Sequence, residues 1–351
     1  MEIALFNLMS LHRADEAPAA VLGMTVEKVR LAEELGFDGA WFAEHHFTSA
    51  SVCPSPLMMV AHCAAVTKRL RLGPAVVVLP LHHPLRVVQE VGMLQALTGG
   101  RIQLGIGTGH QPHEFRTFGV PIAERVGILD ESWDIIERGL TTGQVGHEGR
   151  HYRIPEAPLA AFPGRMPPLF LAGGTPALIQ RAARAGGALF ISQGHRRAAG
   201  ALPMRDKLLA ALDAGGLPAM ALRLALQRYV FVTDDPAEKR QAAEGLLRLA
   251  RTTLSLRDEV PPRDGPMMRS VPFDGEPTIE WLLANGAIGP AETVAERLAE
   301  DIRVLSPAHL SLYMGFTGLP APRVLAALER FGERVLPVLR GLDAAPRRLA
   351  S

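Results

Sequence analysis

Residues 39–97 read GAWFAEHHFTSASVCPSPLMMVAHCAAVTKRLRLGPAVVVLPLHHPLRVVQEVGMLQAL. The apolar run 39–43 is too short for a helix and carries no polar alternation, as expected of a strand covered on both faces in a parallel sheet. A helix over 56–67 follows, then a second apolar strand over 70–79 and a second helix over 84–97. Both helices open at a proline, whose missing N–H costs nothing in a first turn. Strand, helix, strand, helix within sixty residues is the βα repeat.

The same alternation continues in both directions. Towards the N-terminus lie a strand over 3–8 and a helix over 24–35 that stops at Gly36. Towards the C-terminus, a strand over 101–105 precedes a long excursion and a helix over 125–140. Strands then fall at 169–172, 188–192 and 222–233, with helices at 176–185, 205–214 and 236–254, and a final strand at 309–314. Eight strands alternating with helices, and no linker to divide them, predict one closed (β/α)8 TIM barrel over residues 1–340, with a short C-terminal tail over 341–351, in preference to an open doubly wound sheet. The longest break in the pattern, 255–278, is rich in Pro, Gly and charge. It falls between the seventh and eighth strands and is expected to be an insertion loop at the barrel mouth.

The 351 residues are 48% hydrophobic and 21% charged, enough apolar material for a large core. Lys+Arg 37 against Asp+Glu 36 leaves a net charge of +1, no field for gathering nucleic acid or an anionic membrane. The two cysteines, Cys53 and Cys63, suit a reducing cytosol. The N-terminal run lacks a basic flank and reads as a first strand rather than a signal peptide, and no apolar stretch approaches the ~18 residues of a membrane span. A cytoplasmic, soluble chain is expected.

In a barrel, chemistry gathers just after the C-terminal ends of strands. There the sequence places Glu44-His45-His46-Phe47-Thr48, His82-His83, Gly105-Ile106-Gly107-Thr108-Gly109-His110 and Gly173-Gly174-Thr175. Paired histidines at strand ends suit proton transfer near neutral pH. The rival use is metal ligation, but neighbouring residues of a strand end diverge and no HExxH-type second motif is present, so no metal is expected. The glycine runs are open to two readings, plain tight turns or close approach of a flat ring or a phosphate to the backbone. The run at 105–109 is not GxGxxG, so a Rossmann site has little support.

At these residues the chain resembles the bacterial luciferase-like monooxygenase family over 1–340. The resemblance is carried by Glu44-His45-His46-Phe47-Thr48, supported by Leu79-Pro80 with His83-Pro84, Gly100-Arg101, Gly105-Ile106, Phe115-Arg116 and Phe118-Gly119. It implies a (β/α)8 barrel with flavin at its mouth, and His45 in the place of a histidine used in oxygen chemistry on reduced flavin, with Glu44 beside it. It further implies a non-prolyl cis bond at Ala75-Val76 under the flavin ring. Gly107 stands where luciferase has the cysteine against the flavin, and Thr108 where it has a phosphate-contacting arginine. Light emission is therefore not expected, and phosphate binding falls to Arg125, Gly174 and Thr175, with Gly173 beside them.

The resemblance implies a two-component monooxygenase: reduced FMN from a separate NAD(P)H:flavin reductase, O2 held as the flavin hydroperoxide, a small organic substrate, and a homodimer. The competing readings are a deazaflavin-dependent dehydrogenase on the same barrel and a flavin-binding protein without turnover. Phe6, Trp41, Phe47, Met58 and Met59 are expected as apolar lining, and the 255–278 loop as a lid.

Overall fold

In the computed structural model, which describes residues 1–344, the chain runs β1 (Glu2–Asn7), α1 (Pro18–Glu34), β2 (Gly39–Phe42), α2 (Pro56–Val66), β3 (Arg71–Pro74), β4 (Val77–Val78), α3 (Pro84–Thr98), β5 (Leu104–Gly107), α4 (Pro112–Phe118) and α5 (Arg125–Thr142). It continues through β6 (Gln144–Glu148), β7 (Arg153–Pro158), β8 (Leu169–Ala172), α6 (Pro176–Arg184), β9 (Ala188–Gly194), α7 (Leu202–Ala214), β10 (Leu224–Val232) and α8 (Pro236–Ser255). The last part is β11 (Arg263–Asp264), β12 (Met267–Met268), α9 (Ile279–Asn285), β13 (Ala287–Gly289), α10 (Ala291–Leu305), β14 (His309–Tyr313), α11 (Ala321–Arg330) and α12 (Leu336–Ala344). The part of the expected tail beyond 344 lies outside the described residues.

Parallel pairing runs β3-β2-β1-β14-β10-β9-β8-β5-β4. Because β3 and β4 are two halves of one barrel position, and Leu72 bridges to Ile102, the ring closes on itself with eight positions. The expected third strand, 70–79, is split where the Ala75–Val76 bond is cis, so its first half pairs with β2 and its second with β5. The fourth strand begins later than expected, at Leu104. Beyond the elements expected from the sequence stand the short helix α4 inside the 106–124 excursion, the β6–β7 and β11–β12 hairpins, the α9–β13–α10 segment before the last strand, and the helices α11 and α12 after it. The hairpin strands lack the apolar run by which a buried strand announces itself, and the three residues of β13 are too few to register.

The barrel interior is packed, as in other barrels of this size. Trp41 meets Phe170 and Phe190 edge-on at centroid distances of 4.6 and 5.3 Å, and His309 at 5.5 Å. Gly73 makes room for that indole: a Cβ there would lie 2.6 Å from Trp41 Cζ3. The indole Nε1–H donates to His309 Nε2 at 2.7 Å. An indole only donates, so His309 carries its proton on Nδ1 and gives it to Glu2 Oε2 at 3.3 Å. That hydrogen bond is the main reason the Glu2 carboxyl is lowered to about 2.

One ion pair ties the sheet to the outer helices. Arg228 on β10 and Asp301 on α10 are each 1% exposed and approach to 2.6 Å, and Arg228 Nη1 also donates to the Gly194 carbonyl at 3.1 Å. Burial lowers the guanidinium pKa and Asp301 restores part of it. Removing one partner leaves a buried charge alone, which costs about 3–5 kcal/mol. Asp301→Asn should therefore lower unfolding stability by about 3 kcal/mol in urea denaturation, and a loss below about 1 kcal/mol would show that the pair does not hold α10 to the barrel.

Candidate active site

Just beyond β2 the chain presents Glu44, a buried carboxylate at the centre of a polar cluster. Its Oε1 lies 2.9 Å from His46 Nε2 and 2.9 Å from His82 Nε2, and its Oε2 accepts the Val78 N–H at 3.1 Å. A carboxylate only accepts, so both imidazoles present Nε2–H to it. Burial alone would raise the acid, but the bonds and charges from His46 and His82 outweigh it and Glu44 lies below the usual glutamate range. His82 shows the converse: burial lowers it, yet the Glu44 contact carries it above the usual histidine value.

His45 faces the other way, as alternation along an extended segment dictates. Its Nδ1 sits 2.7 Å from Gln111 Nε2 and 3.6 Å from Glu114 Oε1. Glu114 is buried and accepts the His46 backbone N–H at 2.8 Å, fixing the segment from below. His46 packs edge-on against Phe118, and Phe47 adopts φ 62°, a left-handed conformation uncommon for an aromatic residue. The Phe47 carbonyl accepts from Arg263 Nη1 at 2.6 Å, and the β11–β12 hairpin docks on the same segment through Ser49 N–H to Pro266 O, 2.6 Å, and Met268 N–H to Ser49 Oγ, 2.9 Å. The 255–278 insertion thus lies across the mouth, built on the loop that carries His45.

His45 and Glu44 open onto a cavity of about 470 Å³ at the C-terminal ends of the strands, within the roughly 300–1,000 Å³ of ligand sites. Ala75, Val76, Gly107, Thr108 and Gly173 also line it. Gly174, Thr175 and Arg125 do not: Thr175 caps α6 by accepting the Leu178 N–H, and Arg125 donates to the Ile122 carbonyl at 2.8 Å as α5 begins. Of the five expected apolar residues only Phe6 lines the cavity. Trp41 and Met59 are buried in the core, Met58 is 73% exposed, and Phe47 is half-exposed outside the cavity.

Several lining residues went unassigned in the sequence. Gln111 immediately precedes α4 and Glu114 lies in it, Ser192 comes from β9, Gln227 from β10, Ser311 from β14, and Arg257 from the insertion. None carries a motif, and a polar residue inside an apolar strand is the only signal that Gln227 and Ser311 offered. His110, at the rim and exposed but ringed by protein, has its pKa pulled down by burial and by His45. Among the described residues no three or more His, Cys, Asp or Glu gather as a metal site.

The lining fits a flavin. Phe6, Phe190, Val76 and Val78 supply apolar walls for a flat ring. Gln111 Oε1 and Ser311 Oγ are buried atoms without a partner among the described residues, placed to meet a polar ring edge. Gly173, φ 75°, lets the backbone come close at the cavity wall, while the first turn of α6 offers little to a phosphate, since Pro176 has no N–H and the Leu178 N–H is given to Thr175.

Residues 1–306 match the family described as luciferase-like monooxygenase. This chain belongs to that family. An uncharacterized protein of Sinorhizobium fredii is 32% identical over 97% of this chain and 98% of its own length. The alkanal monooxygenase alpha chain of the Kryptophanaron alfredi symbiont is 29% identical over 49% of each chain, so this relative is matched over only about half its length. Among solved structures, a monooxygenase from Streptomyces bottropensis superposes with a TM-score of 0.80 at 21% identity, covering 96% of this chain and 99% of its own. The oxygenating constituent of 3,6-diketocamphane monooxygenase from Pseudomonas putida, in complex with FMN, gives 0.75 at 20% over 96% and 98%. An F420-dependent secondary alcohol dehydrogenase gives 0.71 at 19% over 97% and 99%. These structural likenesses establish the barrel.

The opposite shifts of Glu44 and His82 set a pH signature. Glu44, lowered from 4.5, contributes stability that is lost as pH falls through its folded value; His82, raised from 6.5, contributes stability that is lost as pH rises through its own. Glu44→Gln should therefore cost most, about 2 kcal/mol, between those two ordinary values. In an NMR titration of the variant, His82 should fall below 6.5, since its burial remains and its counter-charge is gone. An unmoved His82 would refute the coupling.

Proposed function

We propose that this chain is a monooxygenase that takes reduced FMN from a separate flavin reductase and uses O2 to oxidise a small organic substrate. The observation that carries the reading is the juxtaposition of His45 with unpartnered polar atoms and apolar walls in one cavity at the strand ends. Bound reduced flavin would supply the two electrons with which one atom of O2 enters the substrate and the other leaves as water.

The chain's own residues would do the rest. Gln111 and Ser311 orient the polar ring edge, and Phe6, Phe190 and Val76 hold its faces. Gly173 and Thr108, which line the cavity, receive the phosphate. His45, oriented by the Gln111 amide N–H that donates to its Nδ1, offers its other nitrogen, Nε2, for proton transfer. Glu44 stays ionised between His46 and His82 and acts by positioning. The docked hairpin, with Arg257 reaching the cavity, excludes water.

Anaerobic titration should show reduced FMN binding at least tenfold more tightly than oxidised FMN. In stopped-flow mixing with O2, oxidised flavin should appear later on the protein than in free solution. His45→Ala should cut substrate oxidation about 10²-fold while reduced FMN binds nearly as before. Tight binding of reduced deazaflavin with none of reduced FMN would favour the dehydrogenase reading, and wild-type turnover in His45→Ala would remove the histidine from the chemistry.

Replacing 261–274 with a short Gly/Ser linker should leave the barrel folded by circular dichroism and bring oxidised flavin forward in the same mixing experiment. Unchanged timing would show that the insertion does not shield the site.

A further inference from the structure

Beside the flavin-sized cavity, and sharing His45, His110 and Gln111 with it, lies a smaller pocket of about 160 Å³ between the segment after β1, helix α8 and the β11–β12 hairpin. Its inner part is apolar, with Leu8, Leu249, Met268 and Phe316. Its outer end is basic. Arg248 lies there, donating from Nη2 to the Thr317 carbonyl at 3.2 Å, and His12 lies beside it, Nε2 3.1 Å from the Gly315 carbonyl. Both flank Gly318: a Cβ on that residue would sit 3.3 Å from Arg248 Nη2 and 3.9 Å from His12 Cγ.

The charge is one-sided. Among the described residues lining this pocket there is no Asp or Glu. The nearest acids lie outside this lining: Glu16, which accepts the His12 backbone N–H at 2.8 Å, lines a neighbouring cavity, and Glu114, which accepts that of His46, lines the larger one. Behind the same turn Lys28 is 5% exposed, with no carboxylate within ion-pair distance among the described residues; it faces a small neighbouring cavity that shares Ser10, His12 and Tyr313 with the pocket. Burial brings that ammonium down to about 8, so it remains mostly charged at neutral pH.

We infer that the substrate carries an anionic group, a carboxylate, at the end remote from the oxidised atom, and that Arg248, with His12 beside it, selects it. An apolar body would lie along Leu249, Met268 and Phe316, placing the reacting end at His45. A planar guanidinium is the side chain suited to a carboxylate, and burial lowers His12 below the usual histidine value, so it stands beside Arg248 as a neutral donor; Arg248, with no acid among the described lining residues, penalises a cationic ligand and favours an anionic one. The inference rests on the oxygenase reading for the identity of the reacting end, but charge selection by the pocket can be measured without flavin.

The test is calorimetric titration of the full chain with three probes of one shape and different charge: hexanoate, hexanamide and hexylamine. Phenylacetate against phenylacetamide is a second pair of different shape. In at least one pair the acid should bind at least tenfold tighter than the amide, the amine should bind weakest, and the preference should shrink as salt rises. Arg248→Gln should reduce the acid's advantage to under threefold while amide affinity and reduced-FMN affinity stay within twofold. Equal binding of acid and amide in both pairs, absence of acid binding, or a preference that survives Arg248→Gln would overturn the inference. Reduced FMN titrated into the same samples separates the two proposals: loss of flavin binding with charge selection intact refutes the oxygenase reading alone, and the reverse pattern refutes the anion subsite alone.

Discussion

A buried carboxylate must be answered by donors, and the upper half of this barrel is arranged around the answer to Glu44. The side chain is inaccessible to water, so every one of its hydrogen bonds comes from protein: His46 two residues on, the Val78 N–H of the next barrel position, and His82 in the turn after it. Those three groups belong to two successive βα units. Holding them to one carboxylate fixes the height of β4 relative to β2 and the path of the loop between β2 and α2. It also fixes His45, because with His46 turned inward to Glu44 its neighbour is directed to the cavity.

The cavity exists because the layer beneath it is filled. Trp41 and His309 meet Phe170 edge-on in the barrel interior, Phe170 and Phe190 pack tilted at 33°, and the Trp41–His309–Glu2 chain gives the indole N–H and both ring nitrogens of His309 a partner. Phe190 is thus both core and floor. Above it the strands end in small residues, Ala43, Ala75, Gly107, Ala172 and Gly173, and the space they leave is the site. Size of side chain at one height of the barrel, more than any single motif, separates packed interior from binding cavity.

Seen from the site outward, polar groups of different origin meet there. Glu114 arrives from a seven-residue helix, Arg257 from the insertion, and Gln227 and Ser311 from strands far along the chain. The insertion is tied by backbone and side-chain bonds to the Phe47–Ser49 segment, so the covering of the mouth and the placement of His45 are mechanically one feature. The basic end of the neighbouring pocket depends in the same way on contacts between distant parts, the Gly315–Gly318 turn bringing residues 12, 28 and 248 together.

The sequence by itself determined the alternation of apolar strands with proline-opened helices, and hence the barrel, because a strand buried on both faces has no polar positions and a helix start has a chemical marker. It also marked the strand C-termini, which are local features, and Glu44-His45-His46 stands at one of them beside the cavity. Tertiary structure decided the rest. Whether Trp41 would line the cavity or plug the barrel depended on Gly73 and Phe170, whereas alternation already put Glu44 and His46 on one side and His45 on the other. Arg125 and Thr175 were legible as candidates, yet their side chains are engaged in starting helices, while Gln111, Glu114 and Arg257 sit in the wall with no pattern to announce them. Periodicity reports which face of an element is buried; it carries no record of which distant side chain shares that space, and a binding cavity is made of such meetings.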